Sequence, residues 1–311
     1  MALKLQGHSK LKKKRDRMLL TMCIPAMIKL FVFAYLPMIG IYLAFVDYSP
    51  RKGLSSEFIG LKNFEFFFKS GDAFRIIGTT IGTNFLFIIV GLILALSLAL
   101  LMNEVKSKAF LKFVQGVSFI PYFLSWLVVG YLFSAFLDNY GIISKIISKI
   151  TGIKDYSFYT NSDYWLIILT VANMWKSVGV TAVIYLANII SIDKEYYEAA
   201  DLDGAKWLQK VFYITLPFLV PMICVTTLMN IGNIVRSDFG LFFFVTKNSG
   251  PVMRMFEVID TYVYKLTMES SASDAVQRSA AAGLLQSITG MALVLGSNAV
   301  VKKINKESSL F

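Results

Sequence analysis

A short polar segment between two long apolar runs carries the residues best suited to contact chemistry. Glu198 is followed by Ala199 and Ala200, and Gly204 comes six residues after the glutamate. The carboxylate can pair with an arginine or lysine across a contact, and the small alanines let another surface approach the backbone. With Asp193 as a helix N-cap and Gly204 at a bend, the segment predicts a short helix, a turn and a second helix. A helix lying on the lipid surface is the alternative, which the three acids of this helix disfavour.

A second group of polar side chains lies in or beside the apolar runs. Asn173, Lys176 and Ser177 follow i, i+3, i+4 spacing and share one face of a helix. A charge at the bilayer centre costs about 2.5–3.5 kcal/mol or more, so it needs a partner or a wet cavity. The stripe either faces a solute cavity, or Lys176 neutralises a buried acid of a neighbouring helix. Arg236 and Asp238, at the end of the next run, either bind solute or face water.

The histidine and cysteine content and the motifs of the chain exclude several kinds of chemistry. His8 is the only histidine, so neither a Ser-His-Asp nor a Cys-His arrangement can form within this chain. Cys23 and Cys224 both fall in apolar runs, which predicts neither a disulfide framework nor a metal site. No G-x-x-x-x-G-K-[ST] phosphate loop is present. We therefore expect no cofactor on this chain, and any ATP that drives it would be bound elsewhere.

The elements that position these residues are apolar helices. Hydrophobic residues make up 56% of the 311 residues, and the mean hydropathy is +0.62. Six runs are long enough to cross roughly 30 Å of hydrocarbon as helices, whereas barrel strands would be half as long. The sequence predicts an all-α, polytopic membrane protein. The six predicted spans are 18–46, 76–102, 113–137, 164–190, 211–235 and 279–301.

Cationic residues give the orientation, because Lys and Arg are retained on the cytoplasmic side. With the N-terminus inside, the inner segments hold 16 Lys/Arg in 57 residues, and the outer ones hold 13 in 98. Both termini are therefore predicted to be cytoplasmic. The division is a basic tail over 1–17, a six-helix domain over 18–301 and a tail over 302–311. The net charge of +11 is better explained by anionic lipid beside the first span than by nucleic acid.

Two other classes of membrane protein are disfavoured. An ion-coupled secondary transporter would need paired intramembrane acids or inverted repeats of broken helices, and the six runs contain no Asp or Glu. A membrane enzyme would need catalytic side chains at one depth, and none are found. Outside the runs, 141–150 places isoleucines on one face and two lysines on another. This pattern fits a helix in the outer interface, with docking of an external protein as a second interpretation.

The spacing Glu-Ala-Ala-x3-Gly-x9-Ile-x-Leu-Pro over 198–217 resembles the coupling loop of the membrane subunits of binding-protein-dependent ABC importers. The Asp-Gly-Ala at 203–205 is similar to the form found in carbohydrate importers of the maltose-permease type. Further matches resemble the polysaccharide and complex-sugar permease subgroup, and they extend over nearly the whole chain. They lie at 35–40, 59–64, 121–126 and 259–264.

This resemblance implies a type I importer permease fold and a transport subunit, not an enzyme, in the bacterial plasma membrane. It implies that the loop at 191–217 couples to a cytoplasmic ATPase. The expected partners are a second, homologous permease, two ATPase subunits, an external solute-binding protein, membrane lipid and a sugar. A non-sugar solute is the alternative. The coupling residues would be Glu198, Ala199, Ala200, Asp203, Gly204, Leu216 and Pro217, and the solute path would include Asn173, Lys176, Ser177, Arg236 and Asp238.

Overall fold

The computed structural model describes residues 2–69, 71–152, 156–268 and 274–304, and these are mostly helical. The only strand pairing in these ranges is the antiparallel pair β1 (Val46–Asp47) and β2 (Glu57–Phe58). The helices are α1 (Ala2–Leu30), α2 (Lys62–Lys69), α3 (Ala73–Asn103), α4 (Lys108–Phe123), α5 (Trp126–Leu137), α6 (Ile142–Thr151), α7 (Trp165–Ile190), α8 (Lys194–Leu202), α9 (Trp207–Lys210), α10 (Leu216–Gly232), α11 (Gly250–Phe256), α12 (Ile259–Met268) and α13 (Ala275–Ile304).

Six helical stretches are long and apolar enough to cross a membrane, which confirms the predicted class. Short π-helical and 3₁₀ segments connect or extend some of them, as at Phe31–Tyr35, Leu36–Phe45 and Val211–Thr215. The predicted division at 17/18 and 301/302 stays a prediction, and 305–311 of the last tail lie outside the described residues. The stretches are Asp16–Phe45, Ala73–Asn103, Trp126–Thr151, Trp165–Ile190, Trp207–Gly232 and Ala275–Lys303.

The third span differs from its prediction. The apolar run at 113–137 is divided between α4 and α5, because Leu124 and Ser125 have extended backbones. Ser125 caps α5 by accepting a hydrogen bond from the backbone N–H of Val128 at 3.4 Å. The spanning stretch Trp126–Thr151 then joins α5 to the amphipathic α6. The apolar pattern predicts the run correctly but does not reveal the break within it.

The first compact unit comprises Met1–Phe66 and Ser271–Leu284. Within it, Asn63 fixes the chain after the first span by donating from Nδ2 to the carbonyls of Ala44 and Val46, both at 3.0 Å. Gln277 donates to the Asp47 carboxylate at 3.3 Å. Side-chain amides therefore hold the small strand pair in place.

The second unit, Phe67–Ser270 with Leu285–Phe311, contains the largest cores. One cluster of buried side chains surrounds Trp165, Leu169 and Phe242, and another surrounds Tyr185, Leu186 and Leu219. Small residues allow close packing of the helices: a Cβ on Gly179 of α7 would collide with the Ser118 carbonyl of α4. These contacts fix α7 against its neighbours.

Candidate functional site

A polar cavity of about 240 Å³ lies between α3, α7 and α10. Its polar side chains carry amide or hydroxyl groups, apart from one guanidinium. Such groups both donate and accept hydrogen bonds, which suits a solute rich in hydroxyls. The polar lining residues are Asn84, Asn173, Ser177, Thr181, Tyr185, Thr227, Asn230, Asn233 and Arg236, and the others are Phe87, Ile88, Gly91, Leu92, Met174 and Val178.

The predicted solute-path residues separate into two groups. Asn173, Ser177 and Arg236 line this cavity, whereas Lys176 and Asp238 are not among its lining residues. Ser177 Oγ lies 2.8 Å from the Asn173 carbonyl and 3.3 Å from Asn173 Oδ1, so it interacts with its neighbour's acceptor atoms. The amide N–H₂ of Asn173 makes no such contact with Ser177 and can donate to a bound solute.

Lys176 lies at the break between α4 and α5. Its ammonium group donates to the backbone carbonyls of Pro121 (3.4 Å), Tyr122 (2.9 Å) and Leu124. It also lies 5.2 Å from the ring centroid of Trp126. The last carbonyls of a helix have no partner within the helix and carry partial negative charge. Lys176 therefore caps the end of α4, and its partners are carbonyl groups in place of the acid that one interpretation expected.

Asp238 belongs to the same neighbourhood as Trp126. Its Oδ2 accepts a hydrogen bond from the Trp126 indole N–H at 2.5 Å, and its Oδ1 accepts one from the Gly240 backbone N–H at 3.0 Å. These bonds place the carboxylate at the start of α5. Its contacts in the structure are therefore with other parts of the chain.

The backbone at 234–237, just beyond α10, is held by side chains from other helices. Asn84 of α3 donates to the carbonyls of Ile234 at 2.9 Å and Arg236 at 3.0 Å. Gln286 of α13 donates to the Val235 carbonyl at 3.0 Å. Arg236 is thus fixed through its own carbonyl and those of the two residues before it.

Asp260 of α12 completes this set of contacts. Its Oδ2 accepts from the Ser237 backbone N–H at 2.7 Å and from Gln286 Nε2 at 3.2 Å. Burial raises the pKa of this carboxyl above its ordinary value, while these hydrogen bonds and the charge of Arg236 oppose the rise. Burial is the larger effect.

The 191–217 loop forms the helix-turn-helix that the sequence predicts. Asp193 caps α8 by accepting from the Glu195 backbone N–H at 3.1 Å. Gly204 has φ of +74°, a left-handed conformation that glycine adopts without strain. The Ala205 N–H donates to the Ala200 carbonyl at 2.9 Å, which closes the end of α8. The turn therefore depends on the glycine.

Side chains attach this loop to the helices of the second unit. Asp201 and Lys210 form an ion pair at 2.7 Å across the turn. The Trp207 indole N–H donates to Glu104, just beyond α3, at 2.7 Å. A further hydrogen bond of 3.0 Å joins the hydroxyls of Tyr197 and Thr215. These contacts connect α9 to the C-terminal end of α3 and α8 to the N-terminal end of α10.

The predicted coupling residues remain accessible in this chain. Docking of another subunit on these residues requires such exposure. Leu216 and Pro217 begin α10, half-buried and exposed respectively. Glu198, Ala199, Asp203 and Gly204 are exposed, and Ala200 is half-buried.

Six polar cavity residues were not predicted as site residues: Asn84, Thr181, Tyr185, Thr227, Asn230 and Asn233. Three of these, from Thr227 onward, recur at every third position. That spacing is a polar stripe on a spanning helix, and it is the signal that could have identified them.

Within the described ranges, no group of three or more His, Cys, Asp or Glu side chains could hold a metal ion.

Comparison with known families decides the class. Residues 87–306 match the model of the binding-protein-dependent transport system inner membrane component. The chain belongs to this family. It is therefore a multi-pass membrane protein and a transport subunit of an importer.

Two relatives and one crystal structure are similar to this chain over most of its length. Protein LplB of Bacillus subtilis (strain 168) is 33% identical, over 94% of this chain and 91% of the relative. The polygalacturonan/rhamnogalacturonan transport system permease YteP of the same organism is 32% identical, over 95% and 94%. The crystal structure of a bacterial alginate ABC transporter, in complex with an alginate pentasaccharide-bound periplasmic protein, superposes with a TM-score of 0.81. The identity is 31%, and the match covers 94% of this chain and 96% of that chain.

Proposed function

We propose that this chain forms one half of the translocation path of an ATP-driven importer for an oligosaccharide. Two findings support the substrate class. YteP is a permease for polygalacturonan or rhamnogalacturonan, and the similar crystal structure is that of an alginate transporter. Both substrates are sugar polymers.

The observation that carries the proposal is the polar lining of the cavity between α3, α7 and α10. Its amide and hydroxyl groups come mainly from α3, α7 and α10, three helices that belong to spanning stretches. Exposing so many polar groups in lipid would be costly, so their presence indicates a wet path or a polar ligand. Sugar hydroxyls can donate to and accept from each of these groups.

Such an importer would need three further kinds of subunit. One six-span chain supplies only one wall of a passage, so a second, homologous permease would face this cavity. An external solute-binding protein would deliver the sugar, as the periplasmic protein in the alginate transporter complex suggests. Two cytoplasmic ATPase subunits would dock on the exposed residues of the 191–217 loop. Isolation of the importer through a tag on this chain should recover all three kinds of partner.

The contacts of the loop suggest how ATP would drive transport. α8 continues from α7, is linked to α10 through Tyr197 and Thr215, and is followed by Trp207, which contacts the end of α3. A displacement of α8 by the ATPases would therefore reach all three helices that form the cavity. Alternating access requires such a change between two arrangements of the spans.

Replacing Asn173 by leucine tests the cavity assignment. The variant loses a hydrogen-bonding group that is needed when sugar is bound, and such a bond is worth about 0.5–1.5 kcal/mol. Uptake efficiency and sugar-stimulated ATP hydrolysis should therefore fall by roughly two- to tenfold, with normal assembly. Asn188→Leu is the control, because Asn188 lies on the same helix, bonds to the Ile184 carbonyl and does not line the cavity. Equal transport by both variants would argue against this cavity.

A further inference from the structure

The cavity contains a single charged side chain. Of the fifteen residues that line it, fourteen are uncharged amides, hydroxyls or apolar groups, and the fifteenth is Arg236. The Tyr185 hydroxyl is already paired with Thr226 at 2.8 Å. Among the described residues that line the cavity there is no carboxylate. The described lining residues therefore carry one formal charge, the positive charge of Arg236.

The guanidinium of Arg236 keeps donors available. It carries five N–H groups, and within the described part of the chain its side chain makes one hydrogen bond, to Ser287 Oγ at 2.9 Å. No ion pair of Arg236 is found there either. The guanidinium is exposed, and its charge also acts on the Asp260 carboxylate. Its remaining N–H groups can bind a substrate carboxylate in a bidentate manner, through strong charge-assisted hydrogen bonds.

Arg236 is also positioned in advance. Asn84 and Gln286 hold the carbonyls of Ile234, Val235 and Arg236, as described above, and the next N–H donates to the Asp260 carboxylate. The backbone on both sides of the arginine is thereby fixed by α3, α12 and α13. The hydrogen bond to Ser287 holds the guanidinium itself. A side chain on an anchored backbone loses less entropy on binding, so more of the interaction energy contributes to affinity.

The absence of a carboxylate among the described lining residues also favours an anionic ligand. Hydroxyl protons of a neutral sugar are accepted most strongly by ionised acids, which makes an Asp or Glu favourable in a site for neutral sugars. The same acid would repel an anionic sugar. A lining with amides, hydroxyls and one guanidinium suits a ligand that bears both hydroxyls and a negative charge.

We propose that Arg236 binds a carboxylate of the substrate, so that the importer selects oligosaccharides containing uronic acid units over neutral ones. This inference rests on the proposed function and specifies its substrate class. Arg236 lies just beyond the C-terminal end of α10, and the 191–217 loop joins the N-terminal end. The acid group would therefore be bound at the end of the cavity away from the loop.

The test uses the assembled importer, isolated through a tag on this chain and reconstituted in liposomes with its external binding protein. The probes are uronic acid trimers, of galacturonate and of mannuronate, and the same trimers with their carboxyl groups methyl-esterified. Arg236→Gln should lower the uptake efficiency of the transported acid roughly tenfold or more, as expected for lost hydrogen bonds to a charged group. Uptake of a transported ester should change less than about threefold, the scale of one neutral hydrogen bond.

Two further variants keep the result interpretable. Arg236→Lys retains the charge but loses the planar fork, so it should show a smaller loss for the acid and should assemble normally even where the glutamine variant does not. Lys247→Gln removes another cation, which pairs with Asp138 at 2.9 Å and does not line this cavity. It should leave the acid-to-ester preference unchanged.

The outcomes separate this inference from the proposed function. Uptake of neutral or esterified oligosaccharides without uptake of the acids would overturn the role of Arg236 and leave an oligosaccharide importer. Equal acid uptake by the wild-type chain, Arg236→Gln and Arg236→Lys would do the same. Failure to carry any saccharide would overturn the proposed function, and this inference with it.

Discussion

At the scale of single residues, Asp260 shows how a half-buried carboxylate organises the backbone just beyond the C-terminal end of α10. One of its oxygens, Oδ2, accepts both the Ser237 N–H and the Gln286 amide. An asparagine could place its own carbonyl oxygen at the same point. Charge and hydrogen bonding can therefore be separated experimentally at this position.

The Asp260→Asn variant should flatten the dependence of stability on pH. Burial raises the pKa of Asp260 in the folded chain above the ordinary 3.8, so the folded state binds more protons just above that value. The free energy of unfolding therefore falls as pH rises from about 4 to the folded pKa, and then levels off. Melting temperatures of the detergent-solubilised importer across this range would show the wild-type slope decrease in the variant.

Asp260→Leu is the control for this prediction, because it removes the acceptor as well as the charge. It should destabilise the importer by about 1–3 kcal/mol, the usual cost of an unsatisfied buried donor. An asparagine variant with the same loss as the leucine variant, and an unchanged pH slope, would contradict the assignment of the titration to Asp260.

Lys176 illustrates what residue type and spacing cannot show. A lysine within an apolar run indicates that a partner exists, but the partners here are carbonyls of α4, more than fifty positions away in the chain. The break that exposes these carbonyls at Leu124 and Ser125 has no glycine. Helical periodicity places Asn173, Ser177 and Lys176 on one stripe. It cannot show that the first two line the cavity while Lys176 contacts carbonyls of α4.

At the scale of elements, the sequence predicts local structure well. The spans follow from apolar length, and the turn at Gly204 follows from an N-cap, a short helix and a glycine, all within a few residues. The cavity depends on three helices that are far apart in sequence. The hydrogen bonds from Asn84 and Gln286 to the end of α10 cross about 150 and 50 positions respectively, and no local pattern encodes them.

Replacing Gly204 by valine should weaken coupling while membrane insertion is retained. At φ of +74° a branched side chain costs about 1 kcal/mol or more, so the turn after α8 should rearrange. Uptake and co-purification of the ATPase subunits should both decrease, and the amount of inserted chain should stay the same.

Gly152 provides a matched control for this element. It ends α6 with φ of +73°, so valine there meets the same backbone strain at a position outside the 191–217 loop. Gly152→Val should retain ATPase association. An equal loss of ATPase association in both variants, or no loss in either, would contradict the assignment of coupling to the turn at Gly204.

At the scale of the whole molecule, the distribution of charge agrees with the chemistry proposed for each side. Lys and Arg are about twice as dense in the segments assigned to the inside, where the 191–217 loop also lies. Arg236 and Asp260 belong to the segment 236–278, which is assigned to the outside, whereas Asn84 and Gln286 lie in spans. Entry of substrate at Arg236 and docking of the ATPases at Glu198 therefore both require a cytoplasmic N-terminus.

Labelling of single cysteines tests this orientation. After Cys23→Ala and Cys224→Ala, the variants Ser55→Cys and Thr160→Cys should react with an impermeant thiol reagent applied to intact cells, because both positions are exposed, lie outside the six spanning stretches and belong to segments assigned to the outside. Ser56, the neighbouring serine, is only 5% exposed and would be a poor reporter. Ser191→Cys, at the end of α7, should react only after detergent opens the membrane. Reaction at Ser191→Cys alone in intact cells would invert the topology and place the coupling loop where no cytoplasmic ATPase could reach it.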